Sequence, residues 1–386
     1  MNNILIKFNS LTNNKCFIAL LTFLLIVPMG IVDFMNEHLP MTIIRILCCL
    51  VVLIKYFPYL KDNKKISPMT IISIIYCLGR FIITYINSHN LSSSLLSYSL
   101  FTIIILFMFV ECTVKDNTKN LIEGILIYCE VIIYINFACL LFPKFGQFFD
   151  CSFILENDNN QFIYYILAIT VSYINYYLNK DKIAKIRMIL LCLIIYITAL
   201  KLFAATTIVA LAILPISLII SLKFRYANIL TYIIFYLVVF VAIVLFNAQY
   251  LFSFLVVDIL HKSLTLSLRE YLWRDFKIEI MKKPIIGHGY HNDKIFSPEQ
   301  GKYLYAHNHL LQELYNGGIV MYLVYIWFVI LPAKKLYAIK DSTIAKVLSS
   351  IILTILVHGL CESLSTVVYT FVFCLIYYVD VYTSKY

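Results

Sequence analysis

Long apolar runs alternate with short polar connections along almost the whole of this chain. Each run is roughly 18 to 22 residues long, enough to cross the hydrocarbon of a bilayer as a helix. The pattern predicts about twelve spanning helices. They fall at residues 16–32, 41–58, 68–86, 91–112, 121–142, 161–178, 187–201, 206–222, 228–248, 317–333, 343–360 and 366–384. The first run is not followed by a small-residue cleavage site, so it reads as a span and not as a removed signal peptide. The one long interruption is residues 249–316, far longer than an ordinary connection, and loops of that length are usually functional. The expected organisation is therefore 1–248 with helices one to nine, 249–316 as a large loop, and 317–386 with helices ten to twelve.

The polar connections set the orientation. One set carries Lys7 and Lys15, Lys61, Lys64 and Lys65, Lys115 and Lys119, the stretch from Lys180 to Arg187, Lys223 and Arg225, Lys334, Lys335 and Lys340, and Lys385. The alternate set, at 33–40, 87–90, 142–160 and 361–365, has almost no Lys or Arg. Basic connections stay in the cytoplasm. Both termini are then expected inside and the 249–316 loop outside. Keeping that alternation requires a tight outer turn at Lys201. The expected fold class is an all-α integral membrane protein with one large outer loop near the C-terminus.

This orientation groups the chemistry. All 8 histidines, at positions 38, 89, 261, 288, 291, 307, 309 and 358, fall on the outer side or near the outer face. Arg45 and Arg80 lie inside spans, near their outer ends. An ionisable residue within a span marks a functional site, or else snorkels to the headgroups.

Composition agrees with the pattern. The chain is 62% hydrophobic and 13% charged, where a soluble domain carries about 25% charged residues. Nearly all of the 11 cysteines lie in apolar runs, including the pair Cys48 and Cys49, and buried free Cys behaves as a small hydrophobe. Only Cys151 and Cys361 fall in predicted outer loops, where a bridge between them is conceivable. A nucleic-acid partner is not expected.

Within the large loop, "SLTLSLREYLWRDFKIEIMKKP" (263–284) predicts an amphipathic helix. Leu264, Leu268, Leu272, Phe276 and Ile280 form one face, and Pro284 stops it. Arg269 and Trp273 are neighbours on that helix. The guanidinium suits bidentate phosphate binding. The same stretch also reads as an interfacial helix with ordinary basic flanks. "PIIGHGYHND" follows, with Gly287 and Gly289 on either side of His288, where the backbone turns sharply or approaches a ligand. "YAHNHLLQELYNGGIV" then opens the helix leading into span ten, with His307 near its top as a general-base candidate. None of the short zinc-enzyme signatures occurs, and no metal ligands are assigned.

Taken in order, Arg269, Trp273, Ile280, Pro284, Gly287, Gly289, His307, Asn308, Leu311 and Gly318 resemble the signature loop of the O-antigen ligase and polymerase superfamily. "ENDNNQFIYYILAI" (156–169) is similar to that family's segment with an Asn opening a central span. The likeness covers roughly residues 155–330. Where the family often has a Ser-Arg pair, this chain has "KLFAATTIVAL", with Thr206 and Thr207 at the place and Lys201 as the nearest cation. Where the family usually has an acid two residues before the glycine, this chain has Asn316.

The resemblance implies a metal-independent, inverting glycosyltransferase in the bacterial inner membrane that needs no cofactor. Its donor would be an oligosaccharide on undecaprenyl pyrophosphate. As a polymerase it would extend another lipid-linked repeat unit in O-antigen or capsule assembly, and as a ligase it would transfer the glycan to lipid A-core. Membrane lipid, a chain-length regulator and a flippase are the implied partners. His307 and Arg269 would be catalytic. Arg45, Arg80, Lys201, Trp273, Gly287, His288, Gly289 and Asn308 would bind substrate. A lipid-linked oligosaccharide flippase is the competing class, although transporters usually show internal repeats and midplane sites.

Overall fold

The computed structural model describes residues 10–38, 40–89, 99–147, 153–155, 159–259, 268–291, 293–363 and 366–384. Leu264, His261, Cys151 and the start of the predicted span 91–112 lie outside them. The helices that matter here are α1 (Lys15–Leu25), α2 (Met41–Asn63), α3 (Pro68–Ser88), α4 (Ser99–Leu141), α5 (Phe162–Asn179), α6 (Lys182–Lys201), α7 (Ala205–Lys223), α8 (Ile229–Phe240), α9 (Arg269–Lys282), α10 (His309–Ala338), α11 (Thr343–His358) and α12 (Thr366–Tyr377). A hairpin of β1 (Ile295–Ser297) and β2 (Lys302–Leu304) stands between α9 and α10. Among the described residues, 7 helices are long and apolar enough to cross a membrane, and shorter apolar helices accompany them. The chain is a multi-pass, all-α membrane protein.

Local chemistry fixes the helix ends. Asn14, Asp181, Asn228 and Ser342 cap α1, α6, α8 and α11 with their side-chain oxygens, satisfying backbone N–H groups that the first turn leaves open. α4 has 43 residues, about 65 Å if straight against about 30 Å of hydrocarbon. It breaks at Asn117, whose backbone leaves the helical region and whose side chain accepts from Asn120 N at 3.2 Å. Two helices therefore meet where the sequence places the polar connection between two spans.

The chain forms two compact units. The first comprises Met1–Ile74, Ser97–Ala204 and Ser365–Tyr386. Its centre is α5, buried on almost every side over its first three turns and packed by α4, α6 and α12. α2 shows how such a unit meets lipid. Ile43, Ile46, Leu47, Leu50, Ile54 and Phe57 are exposed, whereas Cys48, Val52, Tyr56 and Tyr59 are buried. The apolar stripe faces outward because the surroundings are hydrocarbon. Three clusters of buried or part-buried polar groups in this unit are paired, which suits a medium without water. Lys55 donates to Asn13 Oδ1 at 2.6 Å and Thr113 Oγ1 at 2.9 Å. Glu111 accepts from Ser67 N, Thr70 Oγ1 and Tyr56 Oη at 2.8, 2.7 and 3.1 Å. Arg187 meets Glu130 through two hydrogen bonds, at 2.9 and 2.7 Å.

The second unit comprises Ile75–Leu96 and Ala205–Leu364. α7 and α8 pack on α11, and α10 packs on α8, α9 and α11. The large loop has its own small core of Val244, Leu272, Trp273, Phe276, Ile295, Ala306, Leu311 and Tyr315. α9 starts at Arg269, later than the sequence pattern suggests. Leu272 and Phe276 of its predicted apolar face turn into this core together with Trp273, while Leu268 is half-exposed. α10 begins at His309, in the stretch expected to open the helix leading into span ten, and is broken at Gly318. Cys361 is a free thiol.

Candidate active site

α9, the start of α10 and the turn after α11 come together within the second unit. Asn308 makes this possible. Its Oδ1 accepts from Leu311 N at 3.0 Å and caps α10, while its Nδ2 donates to Leu360 O at 2.9 Å. His309 N donates to Gly359 O at 2.8 Å. The first turn of α10 is thereby clamped to the turn carrying Glu362. From the other side the Trp273 indole donates to Ala306 O at 3.0 Å, and Ala306 N donates to Gln312 Oε1 at 2.8 Å. These bonds hold the backbone on both sides of His307. The residue itself sits at φ 45°, a left-handed conformation uncommon for a side chain with Cβ and frequent at functional positions.

Three side chains meet at this point. His307 Nδ1 lies 3.0 Å from Glu362 Oε2, and Arg269 donates through a terminal nitrogen to Glu362 Oε1 at 2.5 Å. The Glu362 side chain is 6% exposed, Arg269 19% and His307 36%, so the carboxylate is the sealed base of the cluster and the imidazole faces out. Burial works to raise the Glu362 carboxyl. The His307 hydrogen bond and the Arg269 and His307 charges outweigh it and hold the group below the usual carboxylate range. An ionised carboxylate only accepts, so Nδ1 carries the hydrogen, and in the neutral imidazole Nε2 is the acceptor nitrogen. A carboxylate that fixes tautomer and ring orientation in this way prepares a histidine to take a proton. Arg269 commits only part of its guanidinium to Glu362 and keeps donors for a second anion.

Arg80 stands in a second polar cluster of the same unit. Its guanidinium lies 4.2 Å from the Tyr290 ring centroid and 5.5 Å from that of Tyr76. Both tyrosine hydroxyls donate to Glu313 at 3.0 Å. The same two aromatic residues thus touch the guanidinium with their rings and the Glu313 carboxyl group with their hydroxyls.

Most of the other expected site residues in the second unit are engaged by the protein itself. Trp273 is buried in the loop core, and both polar atoms of Asn308 are used as described, so each braces His307. His288 stacks on Tyr315 at 4.6 Å and places Nε2 2.9 Å from Glu279 O. Gly287 and Gly289 have φ 66° and 88°, and a Cβ at Gly287 would lie 2.5 Å from Gly318 N. His309 is buried, its ring edge-on to Tyr325 at 5.0 Å. Arg45, near the start of α2, and Lys201, exposed at the end of α6, belong to the first unit. Among the described residues no group of three His, Cys, Asp or Glu side chains could hold a metal ion.

Glu362 and Glu313 were not anticipated. Glu362 is the lone acid in the short connection 361–365, and its solitary charge beside a span end was the available signal. Its partners lie 93 and 55 positions away, which sequence spacing does not reveal.

A helical membrane protein with a carboxylate, histidine and arginine gathered under a large loop is the class that fold and site define. Residues 188–326 match the family model described as O-antigen ligase, which supports the likeness to the O-antigen ligase/polymerase superfamily. That likeness supports, at the coarse level, glycosyltransferase-type chemistry in polysaccharide biosynthesis. The match includes Arg269 and His307 and ends before Glu362. A search of curated proteins finds no match to the chain.

Proposed function

We propose that this protein is a polysaccharide polymerase of the bacterial inner membrane. It transfers a glycan from undecaprenyl pyrophosphate to a sugar hydroxyl of another lipid-linked repeat unit on the outer face. The observation that carries the reading is the hydrogen bond from His307 Nδ1 to the buried Glu362 carboxylate. It leaves Nε2 to remove the acceptor's hydroxyl proton. The acceptor oxygen attacks the anomeric carbon as the bond from that carbon to the pyrophosphate oxygen breaks, with inversion. The leaving pyrophosphate takes the electron pair, and the fixed guanidinium of Arg269 stabilises its charge without reorganising. The chain crosses the membrane about twelve times with both termini inside. That topology puts residues 249–316 on the side where the donor's glycan is displayed.

Transfer to lipid A-core is the second reading, favoured by the description of the matching family as O-antigen ligase. Both reactions need the same base and the same cation. Deleting the gene and separating the surface polysaccharide on a gel distinguishes them. The polymerase reading expects single repeat units on core. Bare core with long lipid-linked chains retained in the membrane overturns it in favour of the ligase.

A further inference from the structure

The hairpin before His307 has a face that neither the catalytic cluster nor the loop core uses. In the β1–β2 pairing Phe296 stands opposite Tyr303, and Ile295 opposite Leu304. Side chains directly opposite in an antiparallel pair share a face. Ile295 and Leu304 turn into the loop core. Phe296 and Tyr303 turn out, at 50% and 65% exposure, with their rings edge to face at 5.4 Å. Beyond β2 the alternation continues, with Tyr305 exposed, Ala306 buried and His307 open again. Alternate residues of an extended strand lie on one side. The outward positions 303 and 305 therefore lie on one side, about 7 Å apart, and the chain turns at His307 two residues further on.

The chemistry of this face is selective. Every large apolar side chain exposed between residues 287 and 308, among those described, is aromatic. The surrounding groups are polar, with the Lys294 ammonium 4.6 Å from the Tyr305 ring centroid and Lys302 and Glu299 exposed nearby. Arg274 bonds Glu299 at 2.6 Å and ties the hairpin tip to α9, so the rings sit on an anchored support. A surface that enters lipid looks different in this protein. The exposed stripe of α10 is Ile319, Val320, Leu323, Trp327 and Ile330, mostly aliphatic. Flat rings edged by hydrogen-bonding groups suit a ligand with apolar C–H faces and a rim of hydroxyls, which describes a pyranose chain. Aromatic side chains provide large contact area at low entropic cost.

We infer that Phe296, Tyr303 and Tyr305 form a stacking track that holds the acceptor glycan and leads its terminal hydroxyl to His307. This assignment to the acceptor rests on the glycosyl-transfer reading above. The track sets which end of the glycan reaches the base, and it favours acceptors long enough to cover more than one ring.

The test uses the full chain in lipid nanodiscs with Tyr303→Trp as a fluorescent reporter, in a Trp327→Phe background that removes the native tryptophan of the lipid-facing stripe. The probes are the lipid-free repeat-unit oligosaccharide, released from the host polysaccharide by mild acid, and phosphatidylcholine with brominated acyl chains. The oligosaccharide is expected to shift the reporter's emission saturably, and Phe296→Ala to weaken that response. Brominated lipid is expected to leave the emission unquenched. In a transfer assay, Phe296→Ala combined with Tyr303→Ala should raise the acceptor KM about tenfold, equivalent to roughly 1.4 kcal/mol, and leave kcat and the donor KM unchanged. Tyr303→Phe, which keeps the ring, should behave as the parent. Quenching by brominated lipid, silence towards the oligosaccharide, or a fall in kcat at unchanged acceptor KM each overturns the track. The binding measurement needs no turnover. A parent that binds the oligosaccharide and transfers nothing counts against the glycosyl-transfer reading and leaves the track as a glycan-binding surface.

Discussion

The carboxylate of Glu362 is nearly sealed from solvent, and a charge in that position is costly unless it is paired. Arg269 and His307 provide the pairing, one on each oxygen. Neutralising it with Glu362→Gln keeps the volume and removes the anion. The histidine then loses the group that fixes its tautomer, and a guanidinium faces an amide. Turnover is expected to fall on the order of a hundredfold or more, read in a transfer assay with expression and melting temperature followed in parallel. The pH dependence has a defined sign. A carboxyl whose pKa is depressed on folding adds stability above its unfolded value and loses it as pH falls through the folded value. The parent should therefore lose melting temperature as acid takes it through the depressed pKa of Glu362. Glu362→Gln should flatten that part of the acid limb. An unchanged slope in the variant would mean that this carboxylate does not carry the acid sensitivity.

At the scale of elements, the break in α10 holds the loop in place. Gly318 has φ 60°, and a Cβ there would lie 2.3 Å from Ile285 O. The freed backbone is used across the break, with Ile319 N donating to Pro284 O at 2.9 Å and Gly289 N to Asn316 O at 2.8 Å. Gly287 and Gly318 are thus needed because two backbones touch. Gly318→Ala is expected to cost at least about 1–2 kcal/mol from the left-handed conformation alone, before the contact with Ile285 is counted. It should appear as a lower melting temperature and a faster-cleaved 285–291 segment in limited proteolysis. An unaltered melting curve would show that the interlock is not under strain. This element also marks the limit of what hydropathy reveals. α2, α3, α6 and α7 follow the predicted spans to within a few residues because each has a long, mostly apolar run. The first turns of α10 contain Gln312, Glu313, Asn316, Gly317 and Gly318, all buried by neighbouring elements, so hydropathy left them in the loop although the residue pattern opened a helix there. Arg269 and His307 were legible as residue types in a spacing. Glu362 was not, because its role exists only once α11 and the start of α10 are packed together.

At the scale of the molecule, the Lys/Arg alternation and the position of the site make one joint claim. A reporter active only outside the cytoplasm should work when fused near Phe296 and fail near Lys64, Lys182 or Lys335. A cytoplasmic signal at Phe296 would separate His307 from a donor displayed on the outer face. The most direct test of the whole account is transfer by the purified protein in detergent, without a membrane gradient, using an undecaprenyl-pyrophosphate-linked oligosaccharide and comparing the parent with His307→Ala. The account predicts turnover by the parent and a loss on the order of a hundredfold or more in the variant, with both proteins folded to the same melting temperature. A variant as fast as the parent, or a parent that moves its substrate only when a gradient is supplied, would contradict it.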